Sequence, residues 1–271
     1  MLGAIIGDIA GSRFEFSNHR SKEFELFHPQ CSFTDDSVMT LALAQAVMNA
    51  AKAAPWGSDA FYAELDRQSV RCMQDVGRHY PYCGYGGNFG VWIRSQQPTP
   101  YNSFGNGAAM RVSAAGFAAG SEEEAKKLSH VVTAVTHNHP EGLKGADATA
   151  LCIYLARTGH SQAAIRERVI KDYYPLDFTI DQIRPHYQFN ETCQDTVPQA
   201  IQAFLEAQDF EDAIRTAVSV GGDSDTLAAI TGSIAEGFWG VPPDIREKAL
   251  SFLDKRLLAI YHQWEAFAAS L

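Results

Sequence analysis

The chain has 271 residues, of which 46% are hydrophobic and 20% charged, a balance typical of a globular protein with one substantial core. Its formal net charge of −10 excludes a protein that attracts nucleic-acid backbones over its whole surface. The five cysteines are scattered and lack CxxC spacing, which favours a reducing cytoplasm over a disulfide framework. We expect no signal peptide, because the short apolar N-terminus lacks a basic leader, and no membrane helix, because no apolar run approaches ~18 residues.

Helical spacing dominates the chain, and no convincing run of alternating residues indicates a sheet. A first helix carries Gly3, Gly7 and Gly11, and Gly3 is interpreted as a site of close helix packing. Further helices are predicted over residues 37–51, 58–76, 122–135, 145–157, 196–208, 210–220, 225–237 and 243–267. Two Gly-rich stretches, 83–90 and 103–107, and an aromatic- and Pro-rich region, 172–195, interrupt them. The pattern predicts an all-α fold of ten or more helices in a single domain over residues 1–271.

Two short acidic sequences each open an apolar helix. They are Thr34-Asp35-Asp36 and Asp223-Ser224-Asp225-Thr226. One such sequence alone would be interpreted as helix capping, since a helix N-terminus stabilises an acid by about 0.3–1 kcal/mol. Its recurrence favours cation binding, because crowded carboxylates repel one another unless a cation neutralises them. Four Asp and two Thr hydroxyls form an all-oxygen set that suits Mg²⁺ or Mn²⁺ rather than zinc.

Other motif interpretations fit less well. An EF-hand loop starting at Asp223 would need an acid at its twelfth position, where Ile234 stands, and no P-loop sequence occurs. A zinc site on His137 and His139 would lack further soft ligands, so hydrogen-bonding roles or a contact with a substrate phosphate are favoured. Asp8 needs a partner if it is buried. Glu15 is either part of the site or paired with Arg13 or Arg20 at the surface.

Six short motifs together point to a known family. In chain order they are Gly7-Asp8-x-x-Gly11-x-x-x-Glu15, Thr34-Asp35-Asp36, Gly84-Tyr85-Gly86, Ser103-Phe104-Gly105-Asn106-Gly107-x-x-Met110-Arg111, Thr136-His137 and Gly221-Gly222-Asp223-Ser224-Asp225-Thr226. Each motif is weak alone, but the ordered set resembles the ADP-ribosylglycohydrolase family, which includes the dinitrogenase reductase-activating glycohydrolase and the lens J1 crystallins. The resemblance runs from about residue 3 to residue 242.

The resemblance implies an all-α fold around two divalent cations, Mg²⁺ with Mn²⁺ as a possible substitute, and hydrolysis of the bond between ADP-ribose and an acceptor. The implied metal ligands are Thr34, Asp35 and Asp36 for one ion, Asp223 and Thr226 for the second, and Asp225 between them. The implied catalytic residues are Glu15, Asp36 and Asp223. The implied substrate-binding residues are Gly86, Ser103, Phe104, Gly105, Asn106 and the phosphate-contacting His137. Position 104 is Phe where Tyr is common in the family, so one hydroxyl is missing.

The expected partner is an ADP-ribosylated protein or an ADP-ribosyl small molecule, and nucleic acid is expected only as an ADP-ribosylated substrate. Regions 172–195 and 87–101 are the candidates for setting acceptor choice. Two alternatives stay open: a metal-dependent hydrolase of another nucleotide metabolite, and a non-catalytic ADP-ribose-binding or crystallin-like protein. The retained acids argue against the second alternative, because a structural protein has no need of six metal-type oxygens.

Overall fold

Every regular element of the protein is a helix in a computed structural model that describes all 271 residues. The helices are α1 (Leu2–Gly11), α2 (Asp35–Ala53), α3 (Asp59–His79), α4 (Gly87–Arg94), α5 (Gly107–Met110), α6 (Ser113–Ala118), α7 (Glu122–Ala134), α8 (Pro140–Arg157), α9 (Gln162–Asp172), α10 (Ile180–Ile183), α11 (Cys193–Glu206), α12 (Phe210–Val218), α13 (Ser224–Trp239), α14 (Pro243–Leu250) and α15 (Lys255–Ala268). A short 3₁₀ helix, Ser12–Phe14, follows α1, and the only strand-like feature is an isolated bridge between Gly105 and Thr192.

The all-α prediction is confirmed, and each predicted helix except the one over 243–267 is present with its ends shifted by a few residues. The prediction of one helix over 243–267 is wrong, because α14 ends at Leu250 and a new helix begins at Lys255. The side chain of Asp254 caps α15 by accepting from the N–H groups of Arg256 and Leu257. Helix α8 starts five residues earlier than predicted, at Pro140. Helices α4, α5, α6, α9 and α10 were not predicted, and four of these five have eight residues or fewer.

Helices α1 and α13 form the centre of the molecule. All ten residues of α1 are buried, as are the first twelve of α13. Helix α13 packs against α1, α8, α11 and α12, and one continuous hydrophobic core surrounds this group. Because a helix that is apolar all round must be covered on every side, these two sequences occupy the middle of the bundle. None of the helices combines the length and the apolar character needed to span a bilayer.

The glycines of α1 bring the two central helices into backbone contact. A Cβ at Gly3 would lie 2.0 Å from the carbonyl oxygen of Gly232, and one at Gly7 would lie 2.0 Å from that of Ala228. A Cβ at Gly11 would lie 2.5 Å from the Cα of Asp225. The glycine spacing of four residues therefore serves close packing, as the sequence indicated for Gly3. It also fixes the end of α1 against the acidic first turn of α13.

We expect Gly3→Ala to lower the free energy of unfolding by at least about 1–3 kcal/mol, the usual cost of overpacking a core. The added methyl group would collide with backbone atoms of α13, which cannot rotate away as a side chain can. Gly87→Ala is the matched control, because a Cβ there meets nothing within 4 Å and the position is helical. Urea denaturation of the three proteins measures both effects, and equal stability of Gly3→Ala and wild type would contradict the packing described.

Candidate active site

A cavity of about 250 Å³ opens where the N-termini of α2 and α13 meet. Carboxylates from both helices line one side of it, together with Glu15 from the segment after α1. The two Gly-rich loops also line it. The cavity therefore combines an acidic wall with Gly-rich backbone, a pairing suited to a ligand with both a hydroxyl-rich part and an anionic part.

The acidic wall gathers carboxylates from three separate parts of the chain. Glu15, Asp223 and Asp225 each offer an oxygen atom within 4.8 Å of the other two. Asp35 and Asp36 line the same cavity, and Thr226 lies beside them. This is the only group of three or more His, Cys, Asp or Glu side chains that converges closely enough to hold a metal ion.

Local backbone geometry places these acids. The N–H of Asp35 donates to the carbonyl of Cys83 at 2.8 Å, so the first Gly-rich loop lies against the start of α2. Gly84 has φ of +111°, and a Cβ there would lie 2.9 Å from Asp35 Oδ1. Gly222, with φ of +66°, turns the chain into α13, and only glycine adopts such angles at no steric cost. Glycine is therefore required on both sides of the acidic wall.

Asp8 holds the first turn of α2 from behind the wall. Its buried carboxylate accepts from the N–H and hydroxyl of Thr34, at 2.9 and 2.7 Å, and from the N–H and hydroxyl of Ser37. Burial raises the pKa of Asp8 to about 6, and these hydrogen bonds oppose that rise. Asp8 does not line the cavity. It thus has the partners that its burial requires and acts on the site through Thr34 and Ser37.

The pKa values of the acids in the wall are raised because the groups are buried and close together. Burial and the neighbouring Asp8 and Asp223 raise the pKa of Asp35 to about 8. Burial, Asp223 and Asp8 raise the pKa of Glu15 to about 7. Burial and neighbouring carboxylates also raise the pKa of Asp36 and Asp225 well above the usual value. The protein alone therefore cannot carry all of these acids in ionised form at neutral pH.

The oxygen atoms of the wall fit a hard divalent cation. Asp36 Oδ1 is buried and has no hydrogen-bond partner, which is costly unless another group satisfies it. Its other oxygen, Oδ2, accepts from the Thr226 hydroxyl at 3.3 Å. Asp223 Oδ2 accepts from the Asn106 amide at 2.6 Å, which fixes the orientation of that carboxylate. The donor set is made of carboxylate and hydroxyl oxygens, as Mg²⁺ and Mn²⁺ prefer.

Most of the predicted site residues line the cavity. Those that do are Glu15, Asp35, Asp36, Gly86, Ser103, Gly105, Asn106, His137, Asp223, Asp225 and Thr226. Thr34 and Phe104 do not line it. Thr34 is the N-cap of α2, and its hydroxyl donates to Asp8. Phe104 is 43% exposed, and its ring centroid lies 5.2 Å from that of His139, so it is neither a core residue nor part of the cavity wall.

Two questions about individual residues are answered by the hydrogen bonds. Glu15 is not paired at the surface, since Arg13 donates to the Glu25 carbonyl and Arg20 to the Arg184 and Tyr187 carbonyls. His139 Nδ1 accepts from the Glu141 N–H and caps α8. His137 Nδ1 contacts Arg111 and Thr136. The two histidines therefore have separate hydrogen-bonding roles and do not form a metal site together.

Several residues of the cavity wall received no role from the sequence. They are Asn88, Phe89, Tyr101, Arg111, Phe189 and Glu191. The sequence did mark regions 87–101 and 172–195 as candidates for shaping the cleft, and five of these six residues lie in them or at their ends. Arg111 stood in a quoted motif, but only the structure shows that it is buried beside His137.

Comparisons with known proteins find relatives that cover nearly the whole chain. A family model described as ADP-ribosylglycohydrolase matches residues 1–267. The chain is 25% identical to ADP-ribosylhydrolase ARH3 of Mus musculus, over 96% of this chain and 88% of that protein. It is 26% identical to ADP-ribosylarginine hydrolase Tri1 of Pseudomonas putida (strain GB-1), over 94% and 72% of the two chains. It is also 26% identical to ADP-ribosyl-[dinitrogen reductase] glycohydrolase of Rhodospirillum rubrum, over 94% and 89%.

A solved structure shares the fold. It is described as an ADP-ribosylglycohydrolase-related protein complex and aligns with a TM-score of 0.66 at 21% sequence identity. The alignment covers 98% of this chain and 94% of the other. At this level of identity the likeness concerns the helical architecture and does not extend to the substrate.

We expect Mg²⁺ or Mn²⁺ to stabilise the protein more strongly as pH rises from about 5 to 8. The acids of the wall have folded-state pKa values above their usual ones, so the stability that the metal-free protein has below pH 4 is lost as pH rises through those values. A cation that binds the ionised wall restores it. Melting temperatures measured with EDTA, Mg²⁺ or Mn²⁺ across this pH range test the prediction. Sodium chloride at matched ionic strength is the control, and stabilisation that does not vary with pH would contradict it.

Proposed function

The chain belongs to the ADP-ribosylglycohydrolase family of enzymes, and we propose that it hydrolyses the glycosidic bond between ADP-ribose and an acceptor with two divalent cations as cofactors. The observation that carries this proposal is the convergence of Glu15, Asp223 and Asp225 in a cavity whose other wall is made of Gly-rich loops. A purely structural protein gains nothing from such an arrangement, since unpaired buried acids cost stability.

The acidic wall is the proposed cation site. Asp35, Asp36 and Thr34 are proposed to hold one ion, Asp223 and Thr226 the other, and Asp225 to serve both. When bound, Mg²⁺ or Mn²⁺ supplies fixed positive charge that orients ribose hydroxyls and makes water a better nucleophile. The unpaired Asp36 Oδ1 supports the assignment from the protein side. Thr34 contributes first as the cap of α2, which keeps Asp35 and Asp36 in place.

Glu15 is the proposed catalytic residue for proton transfer. Glycosidic cleavage develops positive charge on the sugar ring, and the carboxylates beside it stabilise that charge. A water molecule attacks the anomeric carbon and gives up a proton, while the acceptor leaves with the bonding electron pair and gains a proton. A carboxyl group with a pKa of about 7 exchanges protons efficiently near neutral pH.

The Gly-rich wall is the proposed site of the ADP-ribosyl group. Gly86 and Gly105 allow a diphosphate to approach the backbone N–H groups, and a Cβ at Gly86 would meet nothing within 4 Å. Ser103 and His137 add polar contacts from the same side. Asn106 acts toward the acids, because its amide donates to Asp223. Phe104 is proposed to stack on the ligand from the rim of the cavity.

The acceptor and the cellular setting complete the proposal. The substrate is an ADP-ribosylated protein side chain or a related ADP-ribosyl compound, and nucleic acid enters only as an ADP-ribosylated substrate. Phe189 and Glu191 line the cavity from region 172–195 and are proposed to contact the acceptor. All five cysteines are free, which supports the proposed cytoplasmic location.

We expect purified protein with Mg²⁺ to release ADP-ribose from at least one substrate in a panel carrying ADP-ribose on Arg, Ser, Asp/Glu, nucleic acid or a small-molecule acceptor. Asp225→Ala should abolish this release, since Asp225 is proposed to serve both ions, while a folded protein remains by circular dichroism. Asp244→Ala, which removes an exposed acid in the first turn of α14, is the control and should keep full activity. Activity of Asp225→Ala close to wild type at millimolar Mg²⁺ would rule out the shared-ligand role.

We expect Glu15→Gln to lower kcat by about 10²–10⁴-fold, the usual contribution of general acid–base catalysis, with little change in the Kd of ADP-ribose. The substitution keeps the size of the side chain but removes its ability to exchange a proton. Glu25→Gln, on the same connecting segment but outside the cavity, is the matched control. Single-turnover rates beside calorimetric binding separate the two quantities. A loss confined to affinity would show that Glu15 binds the ligand and takes no part in proton transfer.

A further inference from the structure

Arg111 is a buried cation without a carboxylate partner. It is the C-cap residue of α5, is 1% exposed, and lines the cavity. Its guanidinium lies over the ring of Phe89, 4.8 Å from the centroid, and it takes part in no salt bridge. Its Nε has no hydrogen-bond partner. The carboxylates of Asp35 and Asp36 act on it only at longer range than a salt bridge. Burying a charge without a contacting counterion is costly, so the guanidinium calls for a function.

The polar partners of Arg111 both lie at the start of the segment after α7. Arg111 Nη2 donates to the Thr136 hydroxyl at 2.7 Å and lies 3.0 Å from His137 Nδ1. A guanidinium nitrogen can only donate, so Nδ1 must accept and cannot carry a proton itself. The ring proton of His137 therefore resides on Nε2. The contact with Arg111 determines which tautomer is present.

The other nitrogen of His137 faces the Gly-rich wall. Nε2 lies 3.5 Å from the position that a Cβ on Gly105 would occupy and 3.4 Å from the corresponding position on Gly107. It makes no hydrogen bond within the chain, although the side chain is only 4% exposed and lines the cavity. The ring thus presents one unused N–H donor on the side of the cavity where the backbone is most accessible.

We propose that Arg111 is a positioning residue that fixes His137 as a neutral Nε2–H donor directed at an oxygen of the bound diphosphate. The identity of the ligand rests on the proposed function, whereas the tautomer of His137 does not. Arg111 thereby acts in two ways. It leaves Nε2 as the nitrogen of His137 that donates, and it places a positive charge on the Nδ1 side of the ring. Because the guanidinium contacts the Nδ1 side of the His137 ring, the ligand is expected to accept a directional hydrogen bond from Nε2–H rather than to contact the guanidinium.

The groups around His137 support a neutral ring. Arg111 faces it from the end of α5, Tyr101 faces it from the preceding loop with ring centroids 5.9 Å apart, and no carboxylate lies within hydrogen-bonding distance. Burial and the Arg111 charge both lower the pKa of His137 well below its usual value. The donor on Nε2 should therefore be present over the whole working range of pH.

The first test is the nitrogen NMR spectrum of wild-type protein labelled in histidine, with Mg²⁺ present. His137 is identified by comparison with His137→Gln, which leaves the other eight histidines in place. We expect the neutral Nε2–H tautomer between pH 5.5 and 8, without and with ADP-ribose. A proton on Nδ1, or titration near pH 6.5, would overturn the proposal. Since the free protein reports the tautomer, this result stands even if ADP-ribose fails to bind and the proposed function is wrong.

The second test compares Arg111→Met, Arg111→Lys and wild type by calorimetric titration with ADP-ribose at pH 8 and by the nitrogen NMR spectrum of His137. A single pH is used because Arg111 also acts electrostatically on Asp35 and Asp36, so a pH profile of Kd would mix two effects. For Arg111→Met we expect the His137 proton to move toward Nδ1 and the Kd to rise about tenfold, the worth of one hydrogen bond. Arg111→Lys keeps a donor-only cation and should retain the tautomer.

A merely structural role for Arg111 predicts a different pattern. The His137 tautomer would then be unchanged in Arg111→Met, whatever the change in Kd. If Arg111→Met does not fold, the wild-type NMR spectrum and the Arg111→Lys titration still decide the question. An Arg111→Lys protein with the proton on His137 Nδ1 would contradict the proposal directly.

Discussion

The backbone contact between α1 and α13 is the constraint on which the rest of the structure depends. Glycines at positions 3, 7 and 11 allow these helices to lie closer than any side chain would permit. Asp8 lies on the same helix α1, and its carboxylate accepts hydrogen bonds from the start of α2. The same contact places the first turn of α13, with Asp225, beside Gly11. One packing interaction thus brings together two acidic helix starts that lie about 190 residues apart in sequence.

The acidic wall lowers the stability of the folded protein, and a bound cation can offset that loss. Its carboxylates are raised in pKa because burial and mutual repulsion both oppose ionisation. Apolar residues in these positions would be more stable. Hydrogen bonds hold the acids in place instead: Asp8 accepts from the first turn of α2, and Asn106 donates to Asp223. Such supporting hydrogen bonds orient the oxygens before a cation arrives, which lowers the cost of binding. The proposed dependence on divalent ions follows from this repulsion, because a bound cation neutralises the buried carboxylates.

The parts of the structure that sequence reasoning could predict are those written in local patterns. Apolar spacing and caps predicted the long helices, and the repeated Asp-Thr sequences predicted which residues gather in the wall. The short helices α5 and α10 were missed because four residues are too few to show helical spacing. The separation of α14 from α15 was not predicted, because in sequence the capping residue Asp254 looks the same as an exposed acid on one long helix. Thr34 and Phe104 lie away from the cavity wall, since side-chain direction depends on contacts with Asp8 and His139 that sequence does not show.

A cavity lining that carries both signs of charge is what the proposed anionic ligand requires of a protein with a net charge of −10. The lining includes the carboxylates of Glu15, Asp223 and Asp225 as well as the guanidinium of Arg111. The burial of Arg111 removes water that would otherwise screen its field. In the proposed reaction, the acids that repel a free phosphate favour the positive charge that develops on a ribose ring during cleavage. The proposed ADP-ribosyl ligand is anionic along its diphosphate and rich in hydroxyls at its reacting sugar. We therefore propose that its diphosphate contacts His137 and that its reacting sugar lies against the carboxylates around Glu15.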